Sequence, residues 1–312
     1  SSALYKNSTG ARNIAVGTSA LSLNTTENDN IAVGDRALDV NVGSQNTAVG
    51  SYALYTNSGG NYNTAMGYIS SYSTNGGTNN VSIGANSLIS NVTGNENVAV
   101  GAGALINNRV TGITAVGYQA LYSNTTGNNN TAVGYKSLYS NNPSVPTQSD
   151  DNTGVGSFSL FSNVLGQRNT AVGSTSLLTA TSNANTAVGY EAGSSITTQG
   201  GNTNIGYKST PNVTALLNTT SLGANSQPTS NLNIRITTGQ GNTSPAGSTC
   251  NIDALSLFVN ANFYPSDRRV KKNIRDVPVN ILQDIDLIDP KMFERRDFLN
   301  PQNGVIAPAL PE

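Results

Sequence analysis

Chemistry in a polypeptide needs groups that can move a proton, hold a metal or attack an electrophile, and this 312-residue chain is poor in them, with no histidine and one cysteine, Cys250. A lone thiol makes neither an intrachain disulfide nor a cysteine metal cluster, and it does not report the redox compartment. Carboxylates remain. Up to Pro265 they are Glu27, Asp29, Asp35, Asp39, Glu96, Asp150, Asp151, Glu191 and Asp253. One reaction that a pair of carboxylates can run is glycoside hydrolysis, which places two of them near the scissile bond. Asp150 and Asp151 are adjacent, but adjacent acids in an inserted loop are expected simply to stay solvated. A polysaccharide-degrading spike is therefore kept only as an alternative. No metal and no cofactor is expected, because the acidic G-G-x-G-x-D calcium repeat is missing. The run RRVKK, with Arg268, Arg269, Lys271 and Lys272, reads from composition as a solvated basic patch.

The bulk properties narrow the partners. Net charge is -1 and only 36% of residues are hydrophobic. A near-neutral surface gives no general attraction to nucleic acid or anionic membranes. No apolar run reaches eighteen residues, so no spanning helix is expected, and the first residues lack a secretion-signal pattern. The chain opens inside a repeat, which suggests a fragment.

Any candidate group must be positioned by that repeat. A glycine recurs at Gly17, Gly34, Gly50, Gly67, Gly84, Gly101, Gly117, Gly134, Gly156, Gly173, Gly189, Gly206 and Gly223, which marks thirteen coils. The spacing is 16 or 17 residues except after Gly134, where NNPSVPTQSDD adds about five. Three residues before each glycine stands a β-branched residue, such as Ile14, Thr47, Val81 or Thr186; directly before it stands Val, Ile, Leu or Met. Between them is a small residue, with Asn204 the largest. Period-two alternation of this kind predicts a short strand. Three residues past the glycine comes Ala or Ser, followed by Leu in nine of thirteen coils, which predicts a second short strand. Clusters such as NTTGNN supply the turns.

Two strands and two turns in 17 residues fit one coil of a parallel β-solenoid with rungs about 4.8 Å apart. One coil cannot bury its own apolar face, and stacking like coils makes continuous core columns. The Val and Leu columns are expected to fill that core. The Ala column then lies on the opposite strand face, where small side chains would let neighbouring copies of the chain approach. On this reading the Thr column points inward, which argues against ice binding. Sequons at Asn24, Asn91 and Asn124 are expected by chance in so Asn-rich a chain. Tyr52, Tyr118, Tyr135 and Tyr190, close behind the glycine, allow two readings: packing between turns, which is preferred, or a stacked exposed ladder for sugar contact.

The phrase N-T-A-V-G, then a small residue and Leu, resembles the head repeats of trimeric autotransporter adhesins and related repeats of viral and phage fibres. The resemblance covers 1–226 and implies a left-handed, homotrimeric β-roll whose outer surface binds. Residues 227–265, with NLNIRIT and NIDALSLFVNANFY, read as a β-rich stem or transition. Residues 266–312 carry the remaining eight basic and eight acidic residues and form a separate small α+β module. SDRRVKKNI and NGVIAPALPE resemble the start of the intramolecular chaperone domain of endosialidase tailspikes and other fibres, although the usual Gln-Glu after the second segment is missing. Such domains normally continue further, so the chain is expected to end inside one.

That resemblance implies chaperone-assisted trimerisation and one self-cleavage, at Pro265-Ser266, with Ser266 as nucleophile, Lys271 as base and Asp267 supporting. A hydroxyl nucleophile needs a base, and a lysine serves when desolvation or nearby cations lower its pKa. No turnover enzyme is implied. The expectation is a virus or phage surface fibre, homotrimeric, that binds a host glycan or protein receptor at the virion surface or in the extracellular space. A bacterial trimeric adhesin is the alternative.

Overall fold

The structure, a computed structural model, describes residues 2–142, 150–211, 216–228 and, as backbone, 234–236. Over these residues the chain is an all-β, parallel β-solenoid with seventeen short strands and no helix. Fourteen strands form one continuous sheet in which each coil's strand pairs with those of the coils before and after it. Register is strict: Thr114, Ala115 and Val116 pair with Thr131, Ala132 and Val133. The strands before and after the insertion stay in step as well, Thr131 with Thr153 and Val133 with Val155.

The faces of the sheet are the reverse of the sequence expectation. The small middle residue points inward: Ala32, Ala48, Ala65, Ala99, Ala115, Ala132, Ala171 and Ala187 are all fully buried. The flanking residues face out, with Ile14 at 53% and Val16 at 58% exposure near the first coil. The reason is the size of the coil. Within one coil the strand wall and the opposite wall nearly touch, as Ser82 Oγ and Ser87 Oγ do at 2.8 Å. An interior that narrow admits Ala and Ser, and Val columns cannot enter it without overpacking. The Ala column is therefore core, and the Thr column is outward.

Leucine fills the remaining space, as expected, but not from a strand. The Ala-Leu step lies in turn conformation, and the second sheet is confined to Val40–Asn41, Thr56–Asn57 and Ser73–Thr74. Leu21, Leu38, Leu54, Leu88, Leu105, Leu121, Leu138, Leu160 and Leu177 all have φ between 47° and 52°. Left-handed backbone costs an L-residue roughly 1–2 kcal/mol. Burying a leucine fully offsets this by about 1.5–3 kcal/mol. Each leucine amide also donates to a carbonyl of the next coil, for example Leu21 N to Ala37 O at 3.0 Å and Leu121 N to Ser137 O at 3.0 Å. The wall thus keeps inter-coil hydrogen bonding without strand geometry.

Asparagine closes both ends of the cross-section. Seven residues past the glycine, Nδ2 of Asn41 donates to Oδ1 of Asn24 (2.9 Å) and Nδ2 of Asn57 to Oδ1 of Asn41 (2.8 Å). The same column continues through Asn124, Asn141 and Asn163. Just before the strand, Oδ1 of Asn30 accepts the backbone N–H of Asn46 and Oδ1 of Asn46 accepts that of Asn63, while Nδ2 of Asn46 donates to Gly60 O at 2.9 Å. These amides are buried and bonded within and between coils, as burial demands, with Oδ1 of Asn163 left without a partner among the described residues.

The recurring glycine has one cause throughout. At Gly84 φ is +130°, and a Cβ there would lie 2.6 Å from the carbonyl carbon of Gly101 in the next coil. Neither the angle nor the space accepts a side chain.

Candidate functional site

Two surfaces of the roll and one buried carboxylate are the candidates. The first surface is the outward strand face. Along it run a column of Thr, Ile and Val, including Ile31, Thr47, Val81, Thr131 and Thr186, and a parallel column of Val, Ile and Met that includes Val33, Met66, Val133, Val188 and Ile205. Both belong to one unbroken sheet, so their side chains form two straight rows.

The second surface lies past the glycine corner and is aromatic. Tyr118 and Tyr135 stack with ring centroids 5.4 Å apart, Tyr122 and Tyr139 at 5.1 Å, and Tyr139 and Phe161 at 5.2 Å. Lys136 places its ammonium 5.4 Å from the centroids of both Tyr135 and Tyr139. Tyr190 stacks on Tyr207 at 5.6 Å. Tyr52 packs against Tyr55 and Tyr72, with the Arg36 guanidinium 5.9 Å from its ring. The rings therefore stack from coil to coil, as turn packing requires, while Tyr118, Tyr135 and Tyr190 each keep nearly half their surface in water.

Several of the described carboxylates are engaged singly. Asp29 pairs with Arg12 and Asp39 accepts from Ser22. Glu27 accepts the backbone N–H of Thr25 (2.9 Å) and Thr26 (3.0 Å). Glu191 pairs with Lys208 at 3.3 Å; a hydrogen bond from Tyr190, then Lys208, hold its carboxyl below the usual range. Among the described residues no three acids gather in one cluster.

Asp150 departs from expectation. It is 1% exposed rather than solvated. Its Oδ2 accepts Nδ2 of Asn141 at 2.8 Å and Nδ2 of Asn130 at 3.3 Å. In the coil of Asn57 the corresponding acceptor is the Gly60 carbonyl, reached by Asn57 at 2.7 Å and Asn46 at 2.9 Å. A carboxylate oxygen thus stands in for a turn carbonyl where the insertion displaces the turn. Among the described residues Oδ1 of Asp150 has no partner, and burial raises its pKa against the lowering effect of the two amides. Asp151 next to it is exposed.

The sequon residues Asn24, Asn91 and Asn124 are fully buried, the first and last within the asparagine column. Pro265, Ser266, Asp267 and Lys271 lie outside the described residues, as do Asp253, Cys250 and the basic run. Sequence reasoning missed the asparagine columns by treating Asn as turn material. Their signal was a fixed phase: Asn stands directly before the β-branched residue in eleven of thirteen coils, Ile113 and Thr219 being the exceptions. No family model matches the chain, and no curated protein matches it.

Proposed function

We propose that this chain is the roll-shaped part of a homotrimeric surface fibre of a virus or phage that attaches to a host surface. The observation that carries the reading is the outward strand face. Thirteen coils at about 4.8 Å make a strip roughly 60 Å long. Monomeric proteins rarely leave contiguous apolar patches beyond a few hundred Å² uncovered. Two further copies of the same chain, each bringing the same straight rows, would bury it around a threefold axis. The interface is thus the Thr and Val face, with the Ala columns inside each protomer. The left-handed sense of the roll follows from the resemblance to fibre and adhesin head repeats, and so does the role of 266–312 as a chaperone that cleaves before Ser266 with Lys271 as base and Asp267 supporting.

Sedimentation tests the assembly. The chain should run as three copies of 32.2 kDa, and the double variant Val116→Glu, Val133→Glu should run as a folded monomer. A wild-type chain that sediments as a monomer overturns the proposal. Intact mass tests the cleavage: chains shortened at Pro265-Ser266 are expected from the full-length protein, and uncut chains from Ser266→Ala. Equal processing in both refutes the assignment.

The outward Thr rows also favour a second reading, an ice-binding face, because Thr is not buried as the sequence reading required. Thermal hysteresis of the glutamate double variant against wild type separates the two. A face that binds ice gives hysteresis in a monomeric wild type, and an assembly face gives none.

A further inference from the structure

We infer that the cleft formed by Tyr52, Tyr68, Ile69 and Tyr72 is a binding site for one neutral pyranose residue of a glycan. This rests on the attachment reading above and names the receptor chemistry at a particular place.

Four observations point the same way. First, the cleft is an open depression of about 370 Å³, the small end of ligand sites, with room for one sugar ring. Second, three of its four lining residues are tyrosines and none is charged. Third, one ring is left open. Tyr72 stacks on Tyr55 at 5.0 Å and Tyr52 packs on Tyr55 at 5.6 Å, whereas Tyr68, 55% exposed, stacks on no other ring among the described residues. The coil before Tyr68 has Ser51 in its position and the coil after has Ala85, so the small neighbours leave Tyr68 uncovered on both sides. This differs from the Tyr122, Tyr139 and Phe161 stack, where each ring's face is occupied by the next. Fourth, Arg36, which lies against Tyr52, and Asp39, which accepts from Ser22, do not themselves line the cleft.

An open tyrosine face beside tyrosine hydroxyls matches the two sides of a pyranose. The ring's axial C–H face is apolar and packs on an aromatic plane, and its equatorial hydroxyls exchange hydrogen bonds with amphipathic tyrosine rims. A purely aliphatic ligand would leave the phenol groups unused. The lining side chains themselves supply no cation for an anionic sugar.

Saturation-transfer NMR on the full chain tests this with three probes, the methyl glycosides of β-galactose, β-glucose and α-mannose. Transfer to the C–H face of at least one probe is expected, with a fall of at least tenfold in Tyr68→Ala and retention in Tyr68→Phe, which keeps the ring. Because the chain has 13 tyrosines and no tryptophan, quenching of tyrosine emission gives an independent titration. Tyr68 is mostly exposed, so Tyr68→Ala should keep the wild-type circular dichroism; if it does not, Tyr68→Phe against Ile69→Trp, which fills the cleft, carries the comparison. Transfer to none of the three probes, or transfer unaffected by every cleft variant, overturns the inference. Sedimentation separates the two proposals: a trimer without sugar transfer loses only this site, and a monomer with transfer loses only the fibre.

Discussion

At the scale of single residues, the informative positions are those where one atom has no alternative. Asp150 keeps two ladder amides satisfied at the insertion, yet one carboxylate oxygen is buried without a partner among the described residues. Burial raises its pKa above the ordinary 3.8. For a carboxyl raised in the folded state, the favourable contribution is complete below the unfolded pKa and is lost as pH rises through the folded one. At neutral pH the carboxylate therefore weakens the fold, and Asp150→Asn, which still offers an acceptor, should be more stable by on the order of 1 kcal/mol. Thermal melts at pH 7 should show the gain, and the two proteins should converge near pH 3.8 and below. Gly84→Ala has the opposite sign. With φ at +130° and the next coil's backbone 2.6 Å from the new methyl, it should lose at least about 1–3 kcal/mol in the same melts.

At the scale of elements, the asparagine columns do in the interior what caps and turns do at a surface. Asn57 donates to Asn41 and Gly60 and accepts the N–H of Gly60 at 3.1 Å. Asn57→Ala strands the Gly60 N–H, at roughly 1–3 kcal/mol, whereas Gly60 O keeps Asn46 and Asn41 Oδ1 keeps the Gly43 N–H. Hydrogen exchange at the Gly60 amide should accelerate by at least tenfold, whereas Asn75→Ala, at an exposed turn position, should leave it unchanged. The sequence made the period and the strands legible, because an in-phase glycine and the β-branched residue before it leave little choice. It did not reveal which strand face is inside. Alternation separates Thr114 and Val116 from Ala115 but is silent on which set is buried. That is decided by how far apart the two walls of a 17-residue coil can stand, a distance fixed by the whole coil. The aromatic cleft was only half legible for a similar reason: tyrosines behind the glycine are visible, but whether their faces close on one another depends on residues such as Ser51 and Ala85 in adjoining coils.

At the scale of the whole roll, each strand touches only its neighbours in the sheet, so stability should add coil by coil. Deleting residues 118–134 removes one period and joins Gly117 to Tyr135, preserving phase. The shortened chain should keep its circular dichroism and lose about 4.8 Å of length by small-angle scattering. Deleting 122–129 removes half a period, brings Leu138 to the place of Asn130, and should unfold the coils around it.

The leucine amides carry one more consequence. All nine point toward the following coil, and Gly193 N to Ser209 O continues the series where leucine is absent. That wall has a direction, like a row of arrows, so the two tips of the roll present different chemistry. Whatever seals the downstream tip has to arrive with oxygen atoms turned upstream, and two rolls can be joined through this wall only nose to tail.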